Sequence, residues 1–214
     1  MEQTDIWSIN PSTSATFFKT AATVTGGVYP QALVLTNTNP VVAKEGAGYK
    51  VIITSGGDDR TANFTINGAI VGQLTEQGQV PNPNNPEVLA GGNAGAVTSA
   101  YFYSRIDSIT ISKAAAGTVA VGTTGDLALP RCRIKGFYVL GDAGAGSLKI
   151  NRFSYTTSAY PTVAVESLLD ITTPAGATLT QFLSLPGQGI LTGQQHNDFA
   201  VVTLDGADYS LFCG

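Results

Sequence analysis

Apolar side chains recur at every second position along most of this chain. Val51 and Ile53 alternate with Ile52 and Thr54, and Phe64 and Ile66 with Thr65 and Asn67. Ile109 and Ile111 alternate with Thr110 and Ser112, and Val119 and Val121 with Thr118 and Ala120. Leu148 and Ile150, Leu179 and Leu183, and Phe199 and Val201 repeat the pattern. A period of two puts one set of side chains on one face of a pleated strand, so these runs predict half-buried β-strands. Their content of Ile, Val, Thr, Tyr and Phe fits the same reading, because β-branched and aromatic side chains pack well on a pleated surface. One stretch is ambiguous. Residues 96–116 hold no Gly or Pro, and Phe102, Ile106 and Ile109 have helical spacing. A short helical turn near 99–105 is compatible with that spacing, while the Ser, Thr and Ile content after Arg105 favours a strand.

The interruptions carry as much information as the runs. The chain has 25 Gly and 10 Pro, spread throughout, which leaves most intervening stretches too short for an ordinary helix. Turn signals fall at Gly26-Gly27, residues 46–48, Gly56-Gly57-Asp58, Gly91-Gly92-Asn93 and residues 141–146, the spacing of an all-β sandwich. Pro81-Asn82-Pro83-Asn84-Asn85-Pro86 cannot pair in a ladder and reads as an exposed loop, either a contact arm or an inert insertion. The expected fold class is all-β, with two β-sandwich or jelly-roll-like units and an N-terminal arm. The arm spans residues 1–46, the first sandwich 47–127 and the second 131–214, with GTTGDLALP at 122–130 marking the boundary. The arm's apolar pieces, Phe17-Phe18 and Leu33-Val34-Leu35, need a cover from their own domain or from a neighbouring subunit.

Composition then narrows the function classes. Hydrophobic residues make up 43% and mean hydropathy is +0.14, enough for a sizeable core. Charged residues make up only 12%, about half of the roughly 25% usual for a soluble domain. A dispersed monomer normally coats itself with charge, so a surface this neutral points to cover by neighbours. The net charge of −4 provides no basic field to hold nucleic acid. The opening MEQTDIWSINPS has no positive stretch leading into an apolar one, and no run reaches the roughly 18 apolar residues of a membrane helix. The expectation is a protein that folds and is used without crossing a membrane. Cys132, alternating with Ile134, reads as a small buried apolar residue; a bridge to Cys213 is left open.

From residue 48 onward the order of segments resembles small β-rich proteins of tailed bacteriophages. GYKVIITSGGDD, NFTINGAIVG, NAGAVTS, YFYSRIDSITIS and AAAGTVAVGTTG are similar to one such pattern: a V-T-I-T-type strand, a glycine-marked hairpin, an aromatic-bearing segment and an A-G-T-V-x-V-G ending. In the second half, G-S-L-x-I at 146–150, T-P-A-G-A at 173–177, L-P-G-x-G-I at 185–190 and a closing strand pair at 201–214 resemble another. The resemblance covers most of residues 47–214. It implies a virion structural role, as a capsid decoration (cement) protein or a neck or tail protein, assembled in the host cytoplasm, and it brings no catalytic residues with it.

The search for chemistry agrees with that expectation. A nucleophile needs a base within reach, and the single histidine, His196, lies in the polar stretch GQQHN. One His with two distant Cys does not supply a zinc set. Asp58-Asp59 lacks the D-x-D-x-D-G spacing of a calcium loop and reads as a hairpin turn. The glycine-rich 141–146 leads into a strand rather than a helix, so it reads as a turn and not a phosphate cradle. Glu45, Glu76, Glu87 and Glu166 include no pair whose local sequence suggests glycoside cleavage. No enzyme activity, cofactor or metal is therefore expected.

The one charge feature that stands out is Arg131-Cys132-Arg133-Ile134-Lys135. On a regular strand Arg131, Arg133 and Lys135 share one face, and this triad is the candidate docking stripe for an acidic neighbour, against the plainer reading of a solvated face. The expected partners are other virion proteins, the major capsid protein or those of the neck or tail. Further copies of this chain are expected too, as a homo-oligomer with trimers favoured at local three-fold positions. A reading from another class is a carbohydrate- or receptor-binding module, with Tyr101, Phe102 and Tyr103 stacking on sugar rings; the same aromatics also serve as ordinary packing.

Overall fold

Between the glycine and proline interruptions the runs form strands, and every regular element among the described residues is β. The computed structural model describes residues 5–9, 14–38, 47–72, 86–140, 145–154, 164–174, 181–184, 189–192, 198–205 and 208–213. The first eight strands are β1 (Asp5–Ile9), β2 (Ser14–Thr23), β3 (Gln31–Ala32), β4 (Gly48–Ser55), β5 (Asn63–Ile70), β6 (Glu87–Ala90), β7 (Ala96–Ile111) and β8 (Thr118–Leu129). They are followed by β9 (Arg133–Leu140), β10 (Gly146–Phe153), β11 (Glu166–Thr173), β12 (Gln181–Ser184), β13 (Ile190–Leu191), β14 (Phe199–Asp205) and β15 (Asp208–Cys213). No helix among the described residues is long and apolar enough to cross a membrane.

The strands make two antiparallel sheets. A ten-stranded sheet runs β11-β10-β14-β8-β4-β7-β5-β6, with β2 added to β8 and β3 to β7. A five-stranded sheet runs β1-β15-β9-β12, with β13 also on β9. Alternation holds on several of the expected strands: Val51, Ile53, Phe64, Ile66, Ile109, Ile111, Leu148 and Ile150 are all buried. On β8, by contrast, Ala120 is buried along with Val119 and Val121, and Leu179 and the Leu183 side chain lie outside the described residues. β14 also departs from alternation. Phe199, Ala200, Val201 and Val202 are all buried, because Ala200 and Val202 enter one core while Phe199 and Val201 enter another. A strand covered on both faces reads as a continuous apolar run.

The ambiguous stretch is a strand. Phe102 faces a different core from Ile106 and Ile109, and the three-residue spacing of those two has a specific cause. Across from β7, β5 places Phe64, Ile66, Gly68 and Ile70 on one face at a period of two. Their partners on β7 are Ile111, Ile109, Ile106 and Tyr103. Register shifts between Asn67 and Gly68 and between Ala69 and Ile70 each insert an extra β7 residue. A bulge of this kind returns the next side chain to the same face. Buried side chains three apart on β7 therefore meet buried positions two apart on β5. Gly68 sits where the bulged strand comes closest, and a Cβ there would run into the carbonyl oxygen of Arg105.

Two main cores lie along the sheets. The first collects Phe18, Val51, Ile53, Phe64, Tyr103 and Val121, among others. The second is built around Leu127, Leu129, Ile134, Phe137, Leu148 and Leu211. Part of the N-terminal arm is covered by its own chain, while Val34 stays exposed: Phe18 and Leu33 are buried in the first core, and β2 pairs with β8. Gly122 permits this, since a Cβ there would strike the Ser14 carbonyl oxygen and Ala15.

The stretch expected to be a linker between two sandwiches is instead part of β8. That strand delivers Val119 and Val121 to the first core and Leu127 and Leu129 to the second. Its glycines mark the close passage of β2 and a register shift against β4, so the ten-stranded sheet continues across the expected boundary.

Candidate functional site

A distortion of the big sheet that affects both neighbours of one strand surrounds Lys50 and Val51 on β4. From Lys50 to Ile52 is two positions, whereas their partners on β7, Phe102 and Thr98, are four apart. On the other side, Tyr49 and Val51 pair with Leu127 and Thr123 on β8, again two positions against four. Both neighbours of β4 therefore carry surplus residues at the same level, around 99–101 and 124–126.

Surplus residues leave backbone groups without ladder partners, and buried backbone groups must find others. Ser99 and Glu87 take up that role. The Val51 N–H donates to Ser99 Oγ at 2.8 Å, and Ser99 Oγ donates to the Tyr101 carbonyl at 2.8 Å. The Ala100 N–H donates to Glu87 Oε1 at 2.6 Å, and the Tyr103 hydroxyl donates to Glu87 Oε2 at 2.9 Å. Glu87 is 6% exposed. Burial pushes its carboxyl above the ordinary value, opposed by the hydrogen bonds from Ala100 and Tyr103 and by the charge of Lys50.

The same distortion opens a cleft of about 560 Å³ on the sheet. Lys50, Glu87, Phe102 and Asp126 line it from the β4–β8 side, and Asn151, Phe153, Val201 and Thr203 from β10 and β14. Phe153 is half-buried and stacks on the buried Phe199, with ring centroids 5.4 Å apart and planes 12° apart. Lys50 Nζ lies 5.2 Å from the centroid of the Phe102 ring, within reach of a cation–π attraction. The cleft is thus concave, floored by aromatic and aliphatic groups and rimmed by a few polar ones, the general make-up of small-ligand sites.

The residues singled out in the sequence are distributed differently. Of the four glutamates, Glu87 enters the cleft, Glu166 bonds Arg152 at 2.8 Å, and Glu45 and Glu76 lie outside the described residues. Arg152 also meets the buried Asp198 at 3.1 Å. Asp58 and Asp59 lie in the connection from β4 to β5, which is not the hairpin expected, because β7 lies between those two strands; Asp58 bridges to Asn93 instead. Asp58 is held at a pKa of about 2 by side-chain and backbone hydrogen bonds from Arg60, and the buried Asp59 accepts the Ala116 N–H at 2.7 Å. No group of three or more His, Cys, Asp or Glu placed to hold a metal occurs among the described residues. His196, residues 81–85 and residues 141–144 lie outside them.

Tyr101, Phe102 and Tyr103 are buried, so their main role is packing, although Phe102 also borders the cleft. In the basic segment, Arg131 is exposed and precedes β9, while Arg133 and Lys135 are half-buried on either side of the buried Ile134. Against β15, Phe212 pairs with Gly136 but Cys213 with Ile134, which makes Lys135 the surplus residue of a bulge. The flat stripe expected for a regular strand is therefore broken at Lys135, and Ile134 and Phe137, three apart, both reach the second core. Cys132 is half-buried against that core, its N–H bonded to Thr192 Oγ1 at 2.7 Å; the Cys213 side chain lies outside the described residues.

Sequence reasoning missed Lys50, Asp126, Asn151 and Thr203 as cleft residues. Each sits in an unremarkable strand, and no local pattern marks it. Comparison of the chain with known protein families, curated proteins and solved structures returns no match.

Proposed function

We propose that this protein is a structural component of a bacteriophage particle, specifically a capsid decoration protein that stabilises the shell by contacts across subunit seams. The observation that carries the reading is the sparsity of charge and the local pairing of much of what charge there is. Charged residues are 12% of the chain. Arg60 bonds Asp58, Arg105 bonds Asp107, Lys149 meets Asp170, and Arg152 bridges Glu166 and Asp198. Pairs of this kind leave neighbouring surface close to neutral, which lowers the desolvation penalty of covering it with another subunit. Val28 at 91% and Val34 at 82% exposure add apolar contacts on the arm region.

The mechanism is passive. Each copy buries neutral polar and apolar surface across a seam, so that rupture of the shell must also break those contacts; a standard interface of roughly 800 Å² per partner, repeated over the shell, suffices. The exposed Arg131 and the half-buried Arg133 supply the cationic part of the docking surface, and trimers at local three-fold positions fit the expected symmetry.

Quantitative mass spectrometry of purified particles tests the assignment. Copy numbers comparable with the major capsid protein are expected. A copy number matching a single ring moves the protein to the neck or tail, and absence from particles overturns the virion reading altogether.

A further inference from the structure

The cleft beside Lys50 has no part in shell contacts as proposed, and its chemistry suits a small ligand. We propose that it binds a neutral pyranose ring, with Phe153 as the stacking platform and Asn151, Asp126 and Thr203 as hydroxyl partners. Three observations lead there.

The first is the platform. Phe153 is half-buried and fixed from behind by the buried Phe199 at 5.4 Å, so it is a rigid aromatic surface that loses little freedom on binding. The C–H face of a sugar ring matches such a surface.

The second is the charge balance. Glu87 is fixed in place by Ala100 and Tyr103, one bond to each oxygen, and its carboxyl belongs to the charge of the lining. Lys50 and Asp126, the other charged residues of the lining, are of opposite sign. With one cation and two carboxylates the lining disfavours a phosphate, while Lys50 opposes a free cation, so a neutral polar ligand meets neither penalty.

The third is the type of polar group. A sugar hydroxyl both donates and accepts, and it is best met by groups of complementary capacity: an amide at Asn151, a carboxylate at Asp126 and a hydroxyl at Thr203. The volume of about 560 Å³ lies in the range of small-molecule sites.

The test is titration of the ¹⁵N-labelled full chain with methyl β-D-glucopyranoside, methyl β-D-galactopyranoside and methyl N-acetyl-β-D-glucosaminide, followed by heteronuclear NMR. At least one glycoside is expected to give saturable shifts at the amides of Ala100, Asn151, Phe153 and Thr203. Phe153→Ala and Asn151→Ala are each expected to weaken that binding by about tenfold or more, while Asp58→Asn, in the distant Gly56–Asp59 turn region, leaves it unchanged. Should Phe153→Ala lose the native amide dispersion, Thr203→Val, which removes only the hydroxyl, carries the same expectation. Absence of saturable shifts at these amides with all three glycosides overturns the proposal, as does wild-type affinity in the folded variants. Shell occupancy is read separately from particles, so failure of this proposal and failure of the decoration role are distinguishable.

Discussion

Glu87 gives up water on both carboxylate oxygens to hold a strand whose backbone has left its ladder. Ala100 and Tyr103 donate to it, yet burial still raises its pKa, so the folded protein binds a proton at Glu87 more tightly than the unfolded chain does. The sign follows from linkage: the contribution of Glu87 is fully present below its ordinary value of 4.5 and is lost as pH rises through the raised folded value. Glu87→Gln keeps an acceptor for Ala100 and an amide that can donate to Tyr103. In urea titrations across this range, the variant is expected to gain stability relative to wild type as pH rises above 4.5. A pH-independent difference would show that Glu87 is not desolvated as described. Asp58 has the opposite sign: its contribution is present above 3.8 and fades as pH falls through about 2. In the sequence, Glu87 was one of five glutamates with nothing to single it out. Its role comes from surplus residues on a strand 13 positions away at Ala100, which no local pattern encodes.

At the level of elements, the arm and the bulged strands carry the main consequences. The Phe17-Phe18 pair was legible as apolar and in need of cover, but not what would cover it. Phe18 is fully buried among side chains of the same chain. Phe18→Ala is therefore expected to cost about 3–5 kcal/mol, read as a lower denaturation midpoint. A loss well below 1 kcal/mol would mean that the arm is not docked in this way. On β7 Phe102, read as part of a helical turn with Ile106 and Ile109, faces a different core, while Tyr103, Ile106 and Ile109 share one face at a period of three because of bulges that the partner strand defines. The same effect at Lys135 breaks the expected line of cations on β9. Arg133→Glu is nevertheless expected to reduce incorporation into particles while leaving the circular dichroism spectrum unchanged, and unchanged occupancy would remove β9 from the docking surface.

For the whole molecule, the decisive feature is one sheet serving two cores. β8 contributes to both, and β14 joins it to β10 on the far side of the expected boundary. Elements that share a strand are expected to unfold together. Calorimetry of the full chain should give a single transition whose calorimetric and van't Hoff enthalpies agree; two resolved transitions would restore independent units. Sparse, locally paired charge also belongs to this scale, since only the assembled surface determines what can cover it.

By itself, the sequence determined the all-β class and most strand positions, because period-two patterning, β-branched content and glycine turns are local properties. The tertiary structure alone decided the registers, the bulges on β7, β8 and β9, the docking of the arm and the cleft they leave open. Each of these depends on which strand lies alongside, and a strand's own residues do not specify its neighbour.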